Sequence, residues 1–263
     1  MSTPKIVLQG LNKSFDKDGG TVAALSEASL TVDAGSFVSI VGPSGCGKST
    51  LLYILGGFVP ATSGRVEVDG SPVRGPGTDR GVVFQEYALF PWLTTYENIA
   101  YGLRRRGKSN AEVAEIVDRY IDLIHLRGFE KHYPRELSGG MRQRVAIART
   151  FANDPDILLL DEPFGALDAQ TRELMQDELL RLYSSSGKTV VMVTHDIGEA
   201  VYLSDKVYVM SSRPGRVVEE IAVDLDRSRP RDEIMLSQRY TDLHNKVWLS
   251  VRRQIAGAGE IAA

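Results

Sequence analysis

Eight consecutive residues of this chain match a pattern that binds nucleotide phosphates. The pattern is a glycine, any four residues, and then glycine, lysine and serine or threonine; its glycines let the backbone turn its N–H groups toward phosphate oxygens. We expect the lysine to contact the β and γ phosphates and the final hydroxyl to ligate Mg²⁺. Thr50, the next residue, is a predicted contact of the α-phosphate. The match reads Gly42, Pro43, Ser44, Gly45, Cys46, Gly47, Lys48 and Ser49.

The only cysteine of the sequence, Cys46, lies inside this phosphate loop, so the chain cannot form an internal disulfide. Catalysis by a cysteine needs a base partner and a substrate pocket of its own. We therefore expect Cys46 to be a small residue that fills the loop. If its thiol is exposed, thiol reagents should block the nucleotide site.

Two carboxylates follow the apolar run Ile157–Leu160, which is typical of a strand buried on both faces of a parallel sheet. In phosphate-loop proteins a carboxylate at this place holds the metal, so Asp161 is a predicted Mg²⁺ ligand. Glu162 lies one residue further and points elsewhere, toward a water. A glutamate has an ordinary pKa of about 4.3, so it is ionised at neutral pH and can accept a proton. The alternative is that both Asp161 and Glu162 merely face solvent at a strand end. The presence of a phosphate loop in the same chain argues against this alternative.

The positions of three further side chains in the sequence make them candidates for the nucleotide site. Gln85 and His195 each end a predicted strand, and ligands of open parallel sheets gather at the carboxyl ends of strands. Gln85 offers an amide to Mg²⁺ or to the attacking water, and His195 offers an imidazole to the γ-phosphate. Taken alone, each also fits an ordinary polar loop residue. Phe15 is predicted to stack on adenine, with a place in the core as the alternative.

A second glycine turn, Leu137–Gly140, opens a predicted helix, and a helix start attracts anions. The Ser138 hydroxyl and the N–H groups of Gly139 and Gly140 are predicted to face a γ-phosphate. The nucleotide of the same chain is already held by Lys48. We therefore expect this turn to complete the site of a second copy, so that a two-fold homodimer buries two ATP molecules.

The elements that must position these residues alternate between strands and helices, which predicts a mainly parallel α/β sheet. The stretch 87–134 has helix signals only, and Asn110 is a predicted helix cap there. A Gly19–Gly20 turn is expected between two short N-terminal strands, and a single helix is expected to form the tail. The predicted strands are Lys5–Gln9, Leu30–Val32, Val38–Val41, Arg65–Val68, Gly81–Phe84, Ile157–Leu160, Thr189–Val193 and Lys206–Met210; the predicted helices are Lys48–Leu55, Glu112–Ile124, Met141–Ala152, Ala169–Tyr183 and Ile234–Ile255.

Composition and charge limit which classes of protein the chain can belong to. The 263 residues carry a net charge of −3, so the surface as a whole is not a nucleic-acid footprint. The basic run from Arg104 to Lys108 is expected to be a solvated surface. No apolar run approaches the roughly 20 residues of a membrane helix, and the N-terminus shows no charged-then-apolar leader, so we expect a cytoplasmic location.

Together these residues resemble the ATP-binding subunit of ATP-binding cassette (ABC) transporters, from about Ile6 to Val218. The resemblance implies a phosphate-loop ATPase fold with an N-terminal antiparallel β part. It implies an ATPase core of residues 1–86 and 135–218, an inserted helical subdomain of 87–134 and a helical tail of 219–263. It implies roles for the glutamine loop at Gln85, the signature at 137–141, Walker B at 157–161, catalytic Glu162, the switch His195, and Asp168, whose loop contacts the nucleotide.

Three departures from the family pattern are visible. Met141 stands where the signature usually ends in glutamine, Gly165 stands where many members have serine, and Phe15 replaces a more usual tyrosine. None removes a phosphate-facing group, and stacking needs only a ring. ATP and Mg²⁺ therefore remain the expected cofactors.

Narrower features resemble importers of nitrate, sulfonate, taurine and related small anions. These features are Gly75–Gly77, Asp79–Gln85, Leu89–Trp92 and Ser211–Arg216. The resemblance implies integral membrane permease subunits that dock in a groove near Gln85–Trp92, a periplasmic or extracellular substrate-binding protein, and a peripheral location on the cytoplasmic face of the inner (cell) membrane.

Other nucleotide-binding classes fit less well. A DNA-repair or chromosome ATPase would carry a long coiled coil between Gln85 and Leu137, and the interval is too short for one. A translation-factor ATPase would need two cassettes in one chain. A GTPase would need an Asn-Lys-x-Asp base reader, whereas Asn245-Lys246 is followed by Val247-Trp248. The sequence therefore predicts a transport ATPase that binds no nucleic acid.

Overall fold

The strands and helices below come from a computed structural model that describes residues 4–17 and 20–259. The strands are β1 (Pro4–Lys17), β2 (Gly20–Asp33), β3 (Phe37–Val41), β4 (Ser63–Val68), β5 (Ser71–Pro72), β6 (Arg80–Val83), β7 (Ile157–Asp161), β8 (Thr189–Val193), β9 (Lys206–Met210) and β10 (Val217–Ala222). The helices are α1 (Lys48–Leu55), α2 (Thr95–Arg105), α3 (Asn110–Leu123), α4 (Gly139–Ala152), α5 (Ala169–Ser186), α6 (Ile197–Leu203), α7 (Arg231–Met235) and α8 (Gln238–Gly259).

The chain divides into two compact units, one made of residues up to Gly77 and from Gly187 onward, the other of Thr78–Ser186. In the first unit an antiparallel sheet has the strand order β2-β1-β4-β5. A second sheet places β3 between β8 and β9, parallel to both, with β10 antiparallel at the edge. Every residue of β3 is buried, because its side chains are covered on both faces. The predicted antiparallel N-terminal part and parallel core are confirmed.

The second unit holds a parallel pair, β6 and β7, in which Val83 lies opposite Leu160. Helix α4 packs against β6 and against α2 and α3. Gly81 makes this approach possible, because a Cβ there would lie 2.7 Å from side-chain atoms of both Thr150 and Pro155. The carboxyl ends of β6 and β7 thus lie side by side, where Gln85 and Glu162 follow.

Several predicted elements need correction. The cap of α3 is Ser109, not Asn110: the Ser109 hydroxyl accepts from Glu112 N at 3.3 Å, and the Glu112 carboxylate accepts from Ser109 N at 2.9 Å. This reciprocal capping box satisfies two N–H groups that a helix start otherwise leaves open. The two N-terminal strands are much longer than predicted, and Gly19 of the predicted turn lies outside the described residues.

The predicted tail is also wrong in outline. Residues 219–222 belong to β10 and not to a helical tail, and the helix expected over 234–255 is interrupted after Met235. Leu236 is 86% exposed, so it does not belong to the buried stripe of the helix. The division of the chain into the ATPase core and the 87–134 subdomain stays a prediction. Within the described part of the chain, no helix has the length and apolar character needed to cross a bilayer.

Candidate nucleotide-binding and hydrolysis site

The phosphate loop connects the buried strand β3 to α1, and three glycines fix its path. Gly45 and Gly47 have φ angles of 72° and 105°, a backbone region that residues with a side chain rarely adopt. A Cβ on Gly47 would lie 2.8 Å from Ala24 O, and one on Gly42 would lie 2.9 Å from Met210 O. Neighbouring backbone therefore packs against the loop so closely that only glycine fits at these two positions.

Helix α1 begins at Lys48, and no side chain caps it. The first N–H groups of such a helix have no partner within the helix, and their dipoles favour an anion. Lys48 is 7% exposed, and its Nζ donates to Gly42 O at 2.9 Å and to Pro43 O at 3.0 Å. Ser49 and Thr50 follow in the first turn. The loop thus gathers N–H groups, an ammonium and two hydroxyls, which suits a triphosphate.

Cys46 is 1% exposed and lies 3.9 Å from Lys48 Nζ. Burial raises the pKa of its thiol above the ordinary value, although Lys48 acts in the opposite direction. The thiol therefore stays protonated at neutral pH. The side chain fills the loop as expected, and the case of an exposed, reactive thiol does not arise.

His195 follows β8, next to the strand that enters the phosphate loop. Thr194 N donates to Ile40 O at 3.2 Å, and the Thr194 hydroxyl donates to Glu199 Oε2 at 2.8 Å. Asp196 caps α6 by accepting from Glu199 N at 3.1 Å. The residues on both sides of His195 are thus anchored, while His195 itself is exposed.

Phe15 lies on β1 with 42% of its surface exposed, so the alternative that it is a core residue is wrong. Lys13 Nζ lies 4.7 Å from the centre of the Phe15 ring. The exposed ring offers a face for stacking, and the ammonium beside it can donate to a phosphate oxygen or a ribose hydroxyl.

In the second unit the parallel register brings Gln85 and Glu162 together, each two residues beyond the paired Val83 and Leu160. Gln85 Nε2 donates to Glu162 Oε2 at 3.2 Å. Glu162 has a φ of 47°, a conformation that costs a residue other than glycine on the order of 1–3 kcal/mol. The turn holds it there, since Gly165 N donates to Glu162 O at 3.2 Å. A carboxylate in a strained backbone, oriented by an amide, suits the positioning of a water.

Asp161, the last residue of β7, is completely buried. A buried carboxylate is costly unless hydrogen bonds or a cation compensate its charge. The Gln85 amide oxygen in the same unit is, like this carboxylate, a hard oxygen ligand of the kind Mg²⁺ prefers. The predicted ligand Ser49 belongs to the first unit. Among the described residues, no group of three or more His, Cys, Asp or Glu could hold a metal by itself. Mg²⁺ is usually bound through one or two carboxylates together with substrate phosphates and water.

The signature turn, Leu137–Gly140, forms the start of α4, where the Ser138 hydroxyl accepts from Met141 N at 3.2 Å. A Cβ on Gly140 would lie 3.3 Å from Leu167 Cδ2, so the turn packs against the loop that follows Glu162. In that loop Asp168 is exposed and accepts from Thr171 N at 3.0 Å; this bond lowers the pKa of the Asp168 carboxyl. Gly165 is not sterically required, because a Cβ there would meet nothing closer than 3.6 Å.

Arg149, which no sequence pattern indicated, connects α4 to the segment after Gln85. Arg149 on α4 donates from Nη1 to Ala88 O at 2.7 Å and from Nη2 to Tyr87 O at 3.2 Å. Tyr87 and Ala88 both have left-handed backbone, with φ of 62° and 48°. No local sequence pattern indicates such a contact, because the bonded carbonyls lie about 60 residues before Arg149.

Comparisons with known proteins agree with this geometry. A family profile described as "ABC transporter" matches residues 25–165. The chain is 47% identical over 224 residues to the nitrate import ATP-binding protein NrtD of Synechocystis sp., covering 84% of each chain. It is 48% identical over 245 residues to the taurine import ATP-binding protein TauB of Burkholderia pseudomallei, covering 91% of this chain and 94% of that one.

One solved structure is similar to this chain over most of the length of both proteins. It is the dimeric structure of a post-hydrolysis state of the ATP-binding cassette MJ0796 bound to ADP and Pi. The TM-score is 0.77 at 35% identity, and the match covers 83% of this chain and 99% of that one. Sequence and fold therefore point to one and the same family.

Proposed function

Because the chain belongs to the ABC transporter family and is an ATPase of that family, we propose that it drives the import of a small anion through a membrane permease. The observation that carries the catalytic part is the pair formed by Gln85 and Glu162, joined at 3.2 Å across the ends of two parallel strands. The relatives named for nitrate and taurine import support the cargo class.

In the proposed reaction Glu162 orients a water and accepts its proton as the water attacks the γ-phosphate. Gln85 holds the Glu162 carboxylate in place, and Lys48 with the loop N–H groups neutralises the phosphate charge. His195 is placed to contact the γ-phosphate, Asp168 contacts the nucleotide through the aspartate loop, and Phe15 stacks on adenine. Phosphoryl transfer relies mainly on such positioning and electrostatics.

The residues suited to hold Mg²⁺ are Ser49, Asp161 and Gln85. When bound there, Mg²⁺ would supply positive charge to offset the negative charge that develops on the phosphates. The complete burial of Asp161 supports its part in this, because a cation compensates a buried carboxylate.

We propose that two copies form a homodimer, with the signature turn of each capping the ATP held by Lys48 of the other. The support is chemical: Ser138, Gly139 and Gly140 form a second anion-binding helix start in a chain whose phosphate loop already supplies one. The similar cassette MJ0796 is dimeric. A symmetric dimer gives each turn a phosphate to bind.

A mixing experiment tests this sharing of sites. A Ser138→Arg variant and a Lys48→Ala variant should each be almost inactive alone, because each homodimer lacks one half of both sites. Mixed dimers retain one site with intact Lys48 and intact Ser138, so ATPase activity should reappear at equimolar mixing. Activity that stays at the level of the separate variants at every ratio, with mixed dimers shown by differential tags, would contradict the proposal.

The permease surface is proposed to be a groove of the second unit, of about 540 Å³, between the segment after Gln85 and α2. Phe90 and Tyr101 line it with ring centres 4.6 Å apart, and Trp92 beside them is 70% exposed. The basic run expected to be merely solvated contributes Arg105 and Arg106 to this lining. Exposed rings rimmed by arginine are typical of protein interfaces.

Replacing Trp92 tests this surface. Trp92→Ser should abolish co-purification with the co-expressed permease subunits, because it removes a large exposed anchor. Lys48→Ala is the matched control and should co-purify normally, since its change lies in the phosphate loop. Equal recovery of the membrane subunits with Trp92→Ser would argue for a different docking surface.

Transport itself tests the cargo. The full system, with its permease and extracellular or periplasmic binding protein, should take up radiolabelled nitrate or taurine in vesicles loaded with ATP. The ATPase subunit should fractionate with the cytoplasmic face of the membrane as a peripheral protein. Uptake of neither anion, with retained ATPase activity, would reject the cargo class and leave the ATPase assignment in place.

A further inference from the structure

The hairpin loop Ser211–Arg216, which joins β9 to β10, packs directly against the phosphate loop. Its Gly215 is buried, and a Cβ there would lie only 2.0 Å from Cys46 O and 2.6 Å from Met210 Cε. A distance of 2.0 Å to a backbone oxygen cannot be relieved by moving a flexible side chain. Any larger residue must therefore displace the phosphate loop, the hairpin loop or both.

Backbone hydrogen bonds fix Gly215 in this place. Gly215 N donates to Ala24 O at 2.9 Å, and Gly215 O accepts from Ser26 N at 3.0 Å, so the hairpin loop is bridged to β2 on both sides of Leu25. The same Ala24 O lies 2.8 Å from where a Cβ on Gly47 would stand. One short stretch of β2 thus supports both the hairpin loop and the phosphate loop.

The hairpin loop is also bonded within itself. Ser211 N donates to Arg216 O at 2.9 Å, and the Ser211 hydroxyl accepts from Arg216 N at 3.0 Å. The hydroxyl lies 3.2 Å from Pro214 O, to which it can donate in turn. These bonds give the loop one conformation and keep Gly215 against Cys46.

We propose that Gly215 is a positioning residue for ATP binding and that the hairpin loop is the brace that sets the path of the phosphate loop. Cys46 O belongs to the peptide unit whose N–H is that of Gly47, directly before Lys48. A shift of this unit tilts the N–H groups that face the phosphates. Loss of one hydrogen bond to a charged phosphate oxygen lowers affinity on the order of tenfold or more.

The test is nucleotide affinity in Gly215→Ala. The Kd for a non-hydrolysable ATP analogue and the KM for ATP should both rise on the order of tenfold or more, while kcat at saturating ATP stays within about a factor of two. Such a split means that binding common to the ground state and the transition state has been lost. An unchanged Kd would overturn the proposal.

Gly64→Ala is the control for a simple loss of stability. A Cβ on Gly64 would lie 2.3 Å from Gly10 O, a comparably severe contact in the antiparallel sheet of the same unit. It should lower the melting temperature without changing the Kd of the folded protein. An equal rise in Kd for Gly64→Ala would mean that a substitution at any closely packed glycine weakens ATP binding through lost stability alone. The proposal that the hairpin loop is a brace would then be rejected.

Ser211→Ala tests the proposal if Gly215→Ala does not fold, because it adds no atoms and removes only the bonds that the Ser211 hydroxyl makes inside the hairpin loop. It should raise the Kd several-fold, and no rise would overturn the proposal. The inference rests on ATP binding by the phosphate loop. If Lys48→Ala weakens ATP binding and the brace variants do not, only the brace fails; if Lys48→Ala has no effect, the site assignment itself fails.

Discussion

The Glu162→Gln variant should bind ATP with nearly unchanged affinity and hydrolyse it about 10²- to 10⁴-fold more slowly, the range that a general base contributes. The amide is almost the same size as the carboxylate and lies at the end of the same strained turn, so the phosphate loop is unaffected. It cannot accept a proton from the attacking water. Single-turnover hydrolysis, measured together with the Kd for ATP, separates the chemical step from binding.

The control for this variant is Glu173→Gln, the same change at an exposed position of α5. It should hydrolyse ATP at the normal rate. Glu162→Gln should also accumulate as an ATP-bound dimer in gel filtration, because the nucleotides that join the copies are no longer consumed. Turnover by Glu162→Gln at the normal rate would show that another group handles the water.

Gln85→Ala is informative beside it, because the Gln85 amide donates to the Glu162 carboxylate at 3.2 Å. Removing the amide leaves the base in place but loses its orientation, together with one proposed ligand of Mg²⁺. A smaller fall in kcat than in Glu162→Gln is therefore the expected order of effects. The ranking identifies Glu162 as the reacting group and Gln85 as its support.

The sequence predicted the elements nearest the phosphate site with the bounds that the structure has. Lys48–Leu55, Thr189–Val193 and Lys206–Met210 all begin and end as expected. These elements are set by local features: buried apolar runs for the strands, and a glycine pair that ends the helix. Their order along the chain then places the functional residues at strand ends.

Elements that depend on distant contacts were harder to predict. Strand β10 carries only one fully buried side chain, Ile221, so its apolar pattern is weak and its pairing with β9 is what defines it. Phe15 shows no exposure signal in the sequence. The Ser109 cap, in contrast, had a usable signal, since Glu112 follows three residues later and completes a capping box.

The brace at Gly215 shows why the rest of the site could not be predicted. Cys46 and Gly215 are separated by most of the chain, and the fact that a Cβ would meet Cys46 O follows only from the three-dimensional packing. In sequence terms Gly215 is one of 25 glycines. A motif can name the residues that contact a phosphate, whereas the backbone that supports them lies in other elements.

The Lys48→Ala variant should lose at least about 10- to 100-fold in ATP affinity, since a hydrogen bond to a charged group contributes about 1.5–3 kcal/mol and 1.4 kcal/mol corresponds to tenfold. The loss should exceed that of any single N–H contact, because the ammonium faces two phosphates. Isothermal titration with a non-hydrolysable ATP analogue measures it directly, and ATPase activity should fall with it.

The alternative explanation for such a loss is a collapsed loop, because Lys48 also donates to Gly42 O and Pro43 O. The salt dependence of binding separates the two. Loss of a cation that faces a polyanion removes a screened electrostatic contribution, so the affinity of Lys48→Ala should depend less on salt than that of the native protein. A collapsed loop would weaken binding equally at all salt concentrations. Lys246→Ala, on the exposed face of α8, should leave both affinity and salt dependence unchanged.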